Sequence, residues 1–393
     1  MDERESFSFM EKSAEVRYHK KLKKSKISPV IFIYFLIIII FVLLLVIIGI
    51  LLYKNKKLSQ RLNKGEKNTT IIKIEKNLNS KLFEGKRLFH YKNDEFVNTT
   101  KNIIHISYSL DNKLTYPTLV SMTSGLENNN FKVNLIVYHL LFSGDYNTSN
   151  IDIFESLKEN YEVKINYYII PPIFKNLRRW TDKTDCVYYK VILPLMFSDL
   201  ERIIYLDGDT LIRKDIWEMY NYPFNDNYIL GHPFFTPQAV DRFEINATHY
   251  INGGCLLFNI EKIRKDKKDF DLLQFTIKRN DRLRFREQDS INYILYPKIE
   301  FLPLKYGMYM KKKKKKFTHI ATEHVRSTLN LTEGYEAIKD PAIIHFSCCW
   351  PKLWNNATRN VFKHKETCLR YQNEFYYYAN KTKYYSFIHS LLY

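Results

Sequence analysis

Residues 203–212, with the sequence IIYLDGDTLI, constrain the fold more than any other segment of the chain. A short apolar run this rich in isoleucine predicts a buried strand, so Asp207 and Asp209 are expected to emerge at its carboxyl end. Side chains two positions apart on extended backbone point to the same side, and Gly208 lets the backbone turn close to a ligand. The two carboxylates can therefore share one hard divalent cation, as in a site for a metal-bound diphosphate.

Strands and helices are predicted to alternate from about residue 102 onwards. The segments IIHISYSL, VNLIVYHL and VKINYYII are typical of strands, whereas residues 116–126 and 151–159 are typical of helices. A further helix is predicted over residues 185–200, immediately before the strand that carries the aspartates. This alternation predicts an α/β domain in which helices cover both faces of a mostly parallel sheet that binds its ligand at the carboxyl edge.

The segment at residues 30–52 contains 23 consecutive residues without a charge. At about 1.5 Å per residue it is long enough to cross a bilayer of about 30 Å, and it is about twice as long as the apolar region of a signal peptide. We therefore expect a transmembrane helix over residues 30–52, a tail over residues 1–29, a polar stem over residues 53–98 and one catalytic domain over residues 99–393.

The orientation of this helix is not decided by charge, because lysine and arginine flank it on both sides. All seven N-x-S/T sequons follow the helix, although the tail contains no asparagine. We expect a single-pass type II protein of the Golgi or the endoplasmic reticulum, with a cytoplasmic tail and a lumenal domain. The sequons begin at Asn68, Asn98, Asn147, Asn246, Asn330, Asn356 and Asn380.

The formal net charge of +19 suggests an anionic partner, but much of the excess lies in the amino-terminal region and in a lysine run at residues 311–316. No zinc-finger spacing, RNP-like motif or basic heptad accompanies it, so no nucleic-acid partner is expected. The lysine run itself predicts a solvated loop, with an electropositive rim for a phosphate-bearing ligand as the alternative. Five cysteines, an odd number, allow one or two disulfides but no complete framework.

Further motifs follow in order: INGGCLLFNI at residues 251–260, EQDSIN at residues 287–292 and IIHFSCCWPKLW at residues 343–354. Together with HISYSLD and YLDGDT, this set resembles glycosyltransferase family 8, which includes glycogenin-like enzymes and lipopolysaccharide galactosyl- and glucosyltransferases. The resemblance covers residues 100–385. It implies a single nucleotide-sugar-binding domain that transfers a hexose, glucose or galactose, from a UDP-sugar to a glycan, protein or lipid with retention of anomeric configuration.

The resemblance also implies a metal site formed by Asp207, Asp209 and His345. These ligands would hold Mn²⁺, or Mg²⁺, against the two phosphates of the donor and so stabilise the charge on the departing diphosphate. An imidazole with two carboxylates suits manganese better than calcium or zinc. A lone histidine is more often a satisfied core residue, but the position of His345 after an apparent strand and within the family motif favours ligation.

The other site residues are implied by the same resemblance. Gln288 matches the side chain that lies near the anomeric carbon, and Glu287 stands where aspartate is usual, so its carboxylate is one methylene longer. Lys190 stands where many relatives have arginine and lacks the forked geometry of a guanidinium. The nucleotide sugar is expected to contact Ser107, Asp111, Lys190, Asp207, Asn252, Gly253 and Lys352.

Two other classes of protein fit part of this pattern. A phosphoaspartyl hydrolase also ends an apolar strand in D-x-D, but such enzymes place threonine or valine two residues after the second aspartate, whereas here Thr210 follows Asp209 directly. A catalytically silent, membrane-anchored carbohydrate-binding protein with the same fold is the other. Its support is Lys190, Glu287 and the absence of a glycine soon after His345.

Overall fold

The computed structural model describes residues 90–92, 100–174, 177, 185–234, 250–279, 282–313, 316–319, 331–347, 352, 354 and 366–390. Within these ranges no helix combines the length and the apolar character needed to cross a bilayer. The predicted span over residues 30–52 and the predicted tail lie outside them, as does nearly all of the predicted stem. These parts of the domain plan therefore stay predictions.

Strands in the described residues form two sheets, one of eight strands and one of four. The larger sheet contains β1 His90–Lys92, β2 Asn102–Leu110, β3 Asn134–Phe142, β4 Val163–Ile169, β5 Arg202–Asp207, β7 Ile229–Pro233, β8 Ile251–Asn259 and β9 Ile299–Phe301. The smaller sheet contains β6 Thr210–Ile212, β10 Met308–Lys313, β11 Lys316–His319 and β12 Ile343–His345.

The larger sheet has the order β1-β4-β3-β2-β5-β8-β7-β9. Its four central strands β4, β3, β2 and β5 are parallel, while β8 runs antiparallel between β5 and β7 and β1 is an antiparallel edge. The prediction of an α/β fold with a mostly parallel, mixed sheet is confirmed. Parallel strands bring their carboxyl ends to one edge, so the end of β5 lies beside the end of β2.

Helices occupy the connections between the strands. They are α1 Thr115–Glu127, α2 Ile151–Glu155, α3 Leu193–Met196, α4 Trp217–Tyr220, α5 Ile260–Lys265, α6 Lys268–Lys278, α7 Glu287–Leu295, α8 Leu331–Lys339, α9 Glu366–Ala379 and α10 Tyr385–Ser390. Short 3₁₀ segments cover Asn112–Leu114, Thr148–Asn150, Ser156–Glu159 and Asp185–Ile192.

The predicted helix over residues 185–200 is wrong in its type and its length. The chain forms a 3₁₀ segment over Asp185–Ile192 and then only the short α3, which has Pro194 in its first turn. Proline lacks the backbone N–H that a continuous α-helix would need at that position, so a regular helix cannot run through it. The buried face of the 3₁₀ segment nevertheless carries Lys190 into the domain.

The core lies on both faces of the larger sheet, because successive side chains of a strand point to opposite sides. In β5, Ile204 and Leu206 pack into the cluster that includes α1 and α9. Ile203 and Tyr205 pack into a second cluster with the 3₁₀ segment, α5 and α6. Asp207 continues the second series, so its carboxylate is directed to the face where Lys190 is buried.

Most of the lysine run lies in two paired strands where a loop was predicted, because Lys311 to Lys313 end β10 and Lys316 begins β11. Strand β10 pairs in parallel with β12, and the register sets Tyr309 opposite His345. It continues as an antiparallel pair with β11, from Met310 opposite His319 to Lys313 opposite Lys316. The pairing of β10 with two partners overrides the poor strand propensity of lysine.

Candidate active site

The Asp-Gly-Asp turn is held tightly against helix α1. A Cβ built on Gly208 would lie 2.3 Å from Thr118 Oγ1, so a larger residue would force the turn away from the helix. The hydroxyl of Thr210 donates to the Asp207 carbonyl at 3.0 Å and closes the turn. Asp207 and Asp209 are thereby fixed at the end of β5, where the sequence predicted them.

The smaller sheet brings His345 to this turn. Strand β12 pairs antiparallel with β6, and the register sets His345 opposite Thr210. The amide of Phe346 donates to the Asp209 carbonyl at 2.9 Å and extends the same pairing. Strand pairing therefore joins two motifs that are more than a hundred residues apart in the sequence.

The side chains of Asp207, Asp209 and His345 converge on one point, with their ligand atoms within 4.8 Å of one another. The Nε2 atom of His345 lies 3.1 Å from Asp209 Oδ1 and 3.3 Å from Asp207 Oδ2. Neither contact has the alignment of a hydrogen bond, and Nε2 is buried without such a partner among the described residues. Two carboxylate oxygens and an imidazole nitrogen fit a divalent cation.

Charges around the triad keep both carboxylates ionised. Burial alone would raise the pKa of Asp207, but Lys190 and then His345 outweigh it and hold the pKa below its usual value. Burial is likewise outweighed at Asp209, where Lys352 and His345 hold the pKa well below the ordinary range. Burial would lower the pKa of His345, yet the two aspartates raise it. A metal ion bound at the imidazole nitrogen would therefore compete with a proton.

Lys190 is a buried ammonium with a complete set of acceptors. Its Nζ lies 3.1 Å from Asp207 Oδ1, 3.2 Å from Glu287 Oε1 and 2.8 Å from the Gly253 carbonyl oxygen. Burial would lower the pKa of Lys190, but Asp207 and Glu287 outweigh it and raise the pKa. Lys190 thereby connects the Asp207 carboxylate to strand β8 and to helix α7.

Two of the three departures from the family pattern, Lys190 and Glu287, contact each other in this ion pair. Lysine ends in a single ammonium where arginine has a planar fork, and glutamate is one methylene longer than aspartate. The longer carboxylate therefore meets the lysine, and the charge balance of the site is retained. Because the charge balance is retained, Lys190 and Glu287 do not favour the catalytically silent alternative over an active enzyme.

Lys352 lies on the other side of the triad. Its Nζ donates to Asp209 Oδ2 and, at 2.7 Å, to the Phe346 carbonyl oxygen. Its side chain is 18% exposed, compared with 1% for that of Lys190. Of the two lysines that were predicted to contact the nucleotide sugar, Lys352 is therefore the one that a ligand can reach directly.

The segment Asn252-Gly253-Gly254 on β8 connects the triad of Asp207, Asp209 and His345 to Gln288. The Gly253 amide donates to Gln288 Oε1 at 2.9 Å, and the Gly253 carbonyl accepts from Lys190. The side chain of Asn252 lies against His345, with its Oδ1 atom 3.2 Å from Nδ1. The structure thus brings most of the predicted site residues into one connected cluster.

Ser107 lies within β2, where the register sets it opposite Tyr205 of β5, and Asp111 directly follows the end of β2. Ser107 is fully buried, and its hydroxyl has no hydrogen-bond partner within the described ranges. Asp111 caps the following 3₁₀ turn by accepting from the amides of Lys113 and Leu114. Their predicted contact with the nucleoside stays a prediction.

Three residues of the site were missed from the sequence. The hydroxyl of Tyr205 donates to Asp207 Oδ1 at 2.9 Å, and Gln288 Nε2 donates to the Tyr250 hydroxyl at 3.3 Å. The third residue, Gly254, has no side chain, and the His345 ring occupies the space beside it. A Cβ on residue 254 would lie only 1.9 Å from Cε1 of His345. The two-residue period of a strand could have identified Tyr205, which shares a face with Asp207.

The fold is similar to that of solved glycosyltransferase structures. The chain is similar to the bifunctional glycosyltransferase WbbM, with a TM-score of 0.59 and 16% identity over 76% of this chain and 53% of that one. It is also similar to the galactosyltransferase LgtC in complex with donor and acceptor sugar analogs, with a TM-score of 0.56 and 16% identity over 71% of this chain and 96% of that one. The fold is therefore that of a glycosyltransferase.

Residues 105–358 match the family model of glycosyl transferase family 8, and the chain belongs to that family, as its motifs predicted. Among curated relatives, it is 26% identical to the lipopolysaccharide 1,3-galactosyltransferase of Salmonella typhimurium over 52% of this chain and 63% of that enzyme. It is 24% identical to the lipopolysaccharide 1,2-glucosyltransferase of Escherichia coli over 53% of this chain and 63% of that enzyme. The alignments thus span somewhat less than two thirds of these two enzymes.

Proposed function

We propose that this protein transfers a hexose, glucose or galactose, from a UDP-sugar to a glycan-bearing acceptor with retention of anomeric configuration, and that the reaction requires Mn²⁺. The family membership and the fold support the reaction class. The curated relatives named above act on lipopolysaccharide, which supports a glycan on a lipid as the acceptor. A glycoprotein acceptor remains the other option within the same reaction class.

The proposal rests mainly on one observation. The side chains of Asp207, Asp209 and His345 converge at the carboxyl end of β5. The donor set consists of two ionised carboxylates and an imidazole nitrogen without a hydrogen-bond partner among the described residues. Borderline nitrogen and hard oxygen ligands suit Mn²⁺, with Mg²⁺ as the other candidate. When bound, this cation stabilises the negative charge that develops on the departing diphosphate.

Lysine side chains complement that charge. Lys352 pairs with Asp209 and is partly exposed, so its ammonium can also contact a phosphate oxygen of the leaving group. Lys190 is buried and holds Asp207 and Glu287 in fixed positions. Because these groups are in place before the substrate arrives, little reorganisation is needed when the sugar–phosphate bond breaks.

The surroundings of Gln288 support attack and departure on the same face of the sugar. Its amide oxygen accepts from the Gly253 amide, and an amide is a poor nucleophile. The neighbouring carboxylate, Glu287, is engaged by Lys190. We therefore propose that no covalent glycosyl intermediate forms on these side chains, and that the departing phosphate accepts the proton of the acceptor hydroxyl.

The uncharged segment at residues 30–52 supports a membrane anchor. We propose a type II arrangement in the Golgi or the endoplasmic reticulum, in which the catalytic domain faces the lumen. Protease protection in sealed vesicles tests it: the domain is expected to be protected until detergent is added. Digestion of the domain in intact vesicles would contradict the orientation.

The catalytic proposal is tested by incubating the purified full chain with Mn²⁺ and a panel of nucleotide sugars, and by measuring release of the nucleoside diphosphate. We expect turnover of UDP-glucose or UDP-galactose that Asp209→Asn reduces at least a hundredfold. Asp271→Asn, a surface carboxylate on α6 with 56% exposure, is the matched control and should match the wild type. Mn²⁺ binding without turnover of any donor would favour the silent carbohydrate-binding alternative.

A further inference from the structure

The side-chain amide of Asn252 has an orientation that its neighbours fix. The backbone amide of Gly254 lies 2.9 Å from one end of it, and a backbone N–H can only donate. That end must therefore be the oxygen, Oδ1. The assignment matters because the oxygen and nitrogen of an asparagine amide otherwise look alike.

The same oxygen lies 3.2 Å from His345 Nδ1. A carbonyl oxygen can only accept, so Nδ1 must carry the proton in this contact. A neutral imidazole has one N–H, which leaves Nε2 with its lone pair available. Nε2 is the nitrogen that faces Asp207 and Asp209.

The backbone of the same segment also fixes the position of the ring. His345 is 2% exposed, and its ring fills the space above Gly254 where a Cβ would lie 1.9 Å from Cε1. Asn252 is itself 6% exposed, so little water can replace its oxygen at Nδ1. The contact is a buried hydrogen bond between one donor and one acceptor.

We infer that Asn252 is a positioning residue for the metal site, which selects the Nδ1–H tautomer of His345 and so presents Nε2 to the divalent cation. This role differs from the contact with the donor sugar that the sequence suggested for Asn252. The inference rests on the metal site of the proposed function. Partners that orient a metal-bound histidine in this way strengthen metal binding about 10–100-fold.

The test compares the Mn²⁺ dissociation constants of full-chain variants without any donor, from the EPR signal of free Mn²⁺. Asn252→Leu has a similar size but no acceptor for Nδ1–H, and we expect it to raise the constant about 10–100-fold. Asn252→Asp keeps an acceptor oxygen and should bind within about threefold of the wild type. If the leucine variant does not fold, Asn252→Ala, which adds no bulk, provides the same comparison.

Asn259→Leu is the matched control, because Asn259 caps helix α5 at the other end of the same strand. It should lower the thermal midpoint without changing the Mn²⁺ constant. An unchanged constant in Asn252→Leu, or Asn252→Asp binding as weakly as Asn252→Leu, would overturn the inference. A wild-type chain that binds no Mn²⁺ would also overturn the inference. A chain that shows the expected Mn²⁺ affinities but transfers no sugar would overturn only the proposed function.

Discussion

Replacing Gly254 by alanine should remove His345 from the metal site. The new Cβ would lie 1.9 Å from Cε1 of His345, and ordinary contact begins at 3.4 Å, so the ring must move by about 1.5 Å. Metal–ligand distances tolerate changes of only about 0.2 Å. The Nε2 ligand is therefore lost, and we expect the Mn²⁺ dissociation constant to rise at least about 100-fold, which corresponds to about 2.7 kcal/mol.

Gly253 is next to Gly254 on strand β8, so Gly253→Ala is a control for the effect of replacing a glycine of this strand by alanine. Its Cβ would meet Gln288 and Lys190 at 3.5 Å, an ordinary van der Waals distance. Gly253→Ala should therefore keep the Mn²⁺ affinity within a few fold of the wild type. Overpacking in Gly254→Ala also costs about 1–3 kcal/mol of stability, so circular dichroism must show a folded chain. Wild-type Mn²⁺ affinity in folded Gly254→Ala would refute the packing argument.

Three other perturbations follow from the site. Lys190→Met leaves Asp207 and Glu287 without their buried cation and should lower the free energy of unfolding by about 3–5 kcal/mol in urea titrations; an effect below about 1 kcal/mol would contradict this. The pKa of His345 is raised in the folded chain, so its protonated imidazole stabilises the fold. The thermal midpoint of the metal-free chain should therefore fall as the pH rises from about 6.5 through this raised pKa. His345→Gln should not show this pH-dependent fall of the thermal midpoint. Tyr250→Phe removes the hydroxyl that accepts a hydrogen bond from Gln288, and we expect it to reduce kcat about fivefold with a smaller change in KM. An unchanged kcat would show that the hydrogen bond between Gln288 and Tyr250 does not contribute to catalysis.

The strand that carries the aspartates was predictable because its signal is local. An isoleucine-rich run followed by Asp-Gly-Asp specifies a buried strand and a turn without reference to distant parts of the chain. The predicted family and α/β fold are confirmed, and they were predictable because several such local motifs occur in a fixed order. The donor sugar, the metal and the membrane anchor stay proposals.

Contacts between distant segments could not be predicted in the same way. The sequence suggested that Asn252 lines the sugar pocket, but no local pattern shows that its side chain contacts His345, since that contact depends on the pairing of β12 with β6. The contact between Lys190 and Glu287 likewise depends on how the 3₁₀ segment packs against α7. Pro194, in the first turn of α3, is also incompatible with the continuous helix that was predicted over residues 185–200.

We propose that sugar transfer by this protein requires one divalent cation held by Asp207, Asp209 and His345. The most direct test of this claim titrates Mn²⁺ into the EDTA-treated full chain and measures bound Mn²⁺ and UDP-hexose turnover in the same samples. We predict a single Mn²⁺ site per chain, turnover that rises in proportion to its occupancy, and loss of both in His345→Gln. Full turnover in the presence of EDTA, or in the variant without bound Mn²⁺, would contradict the claim.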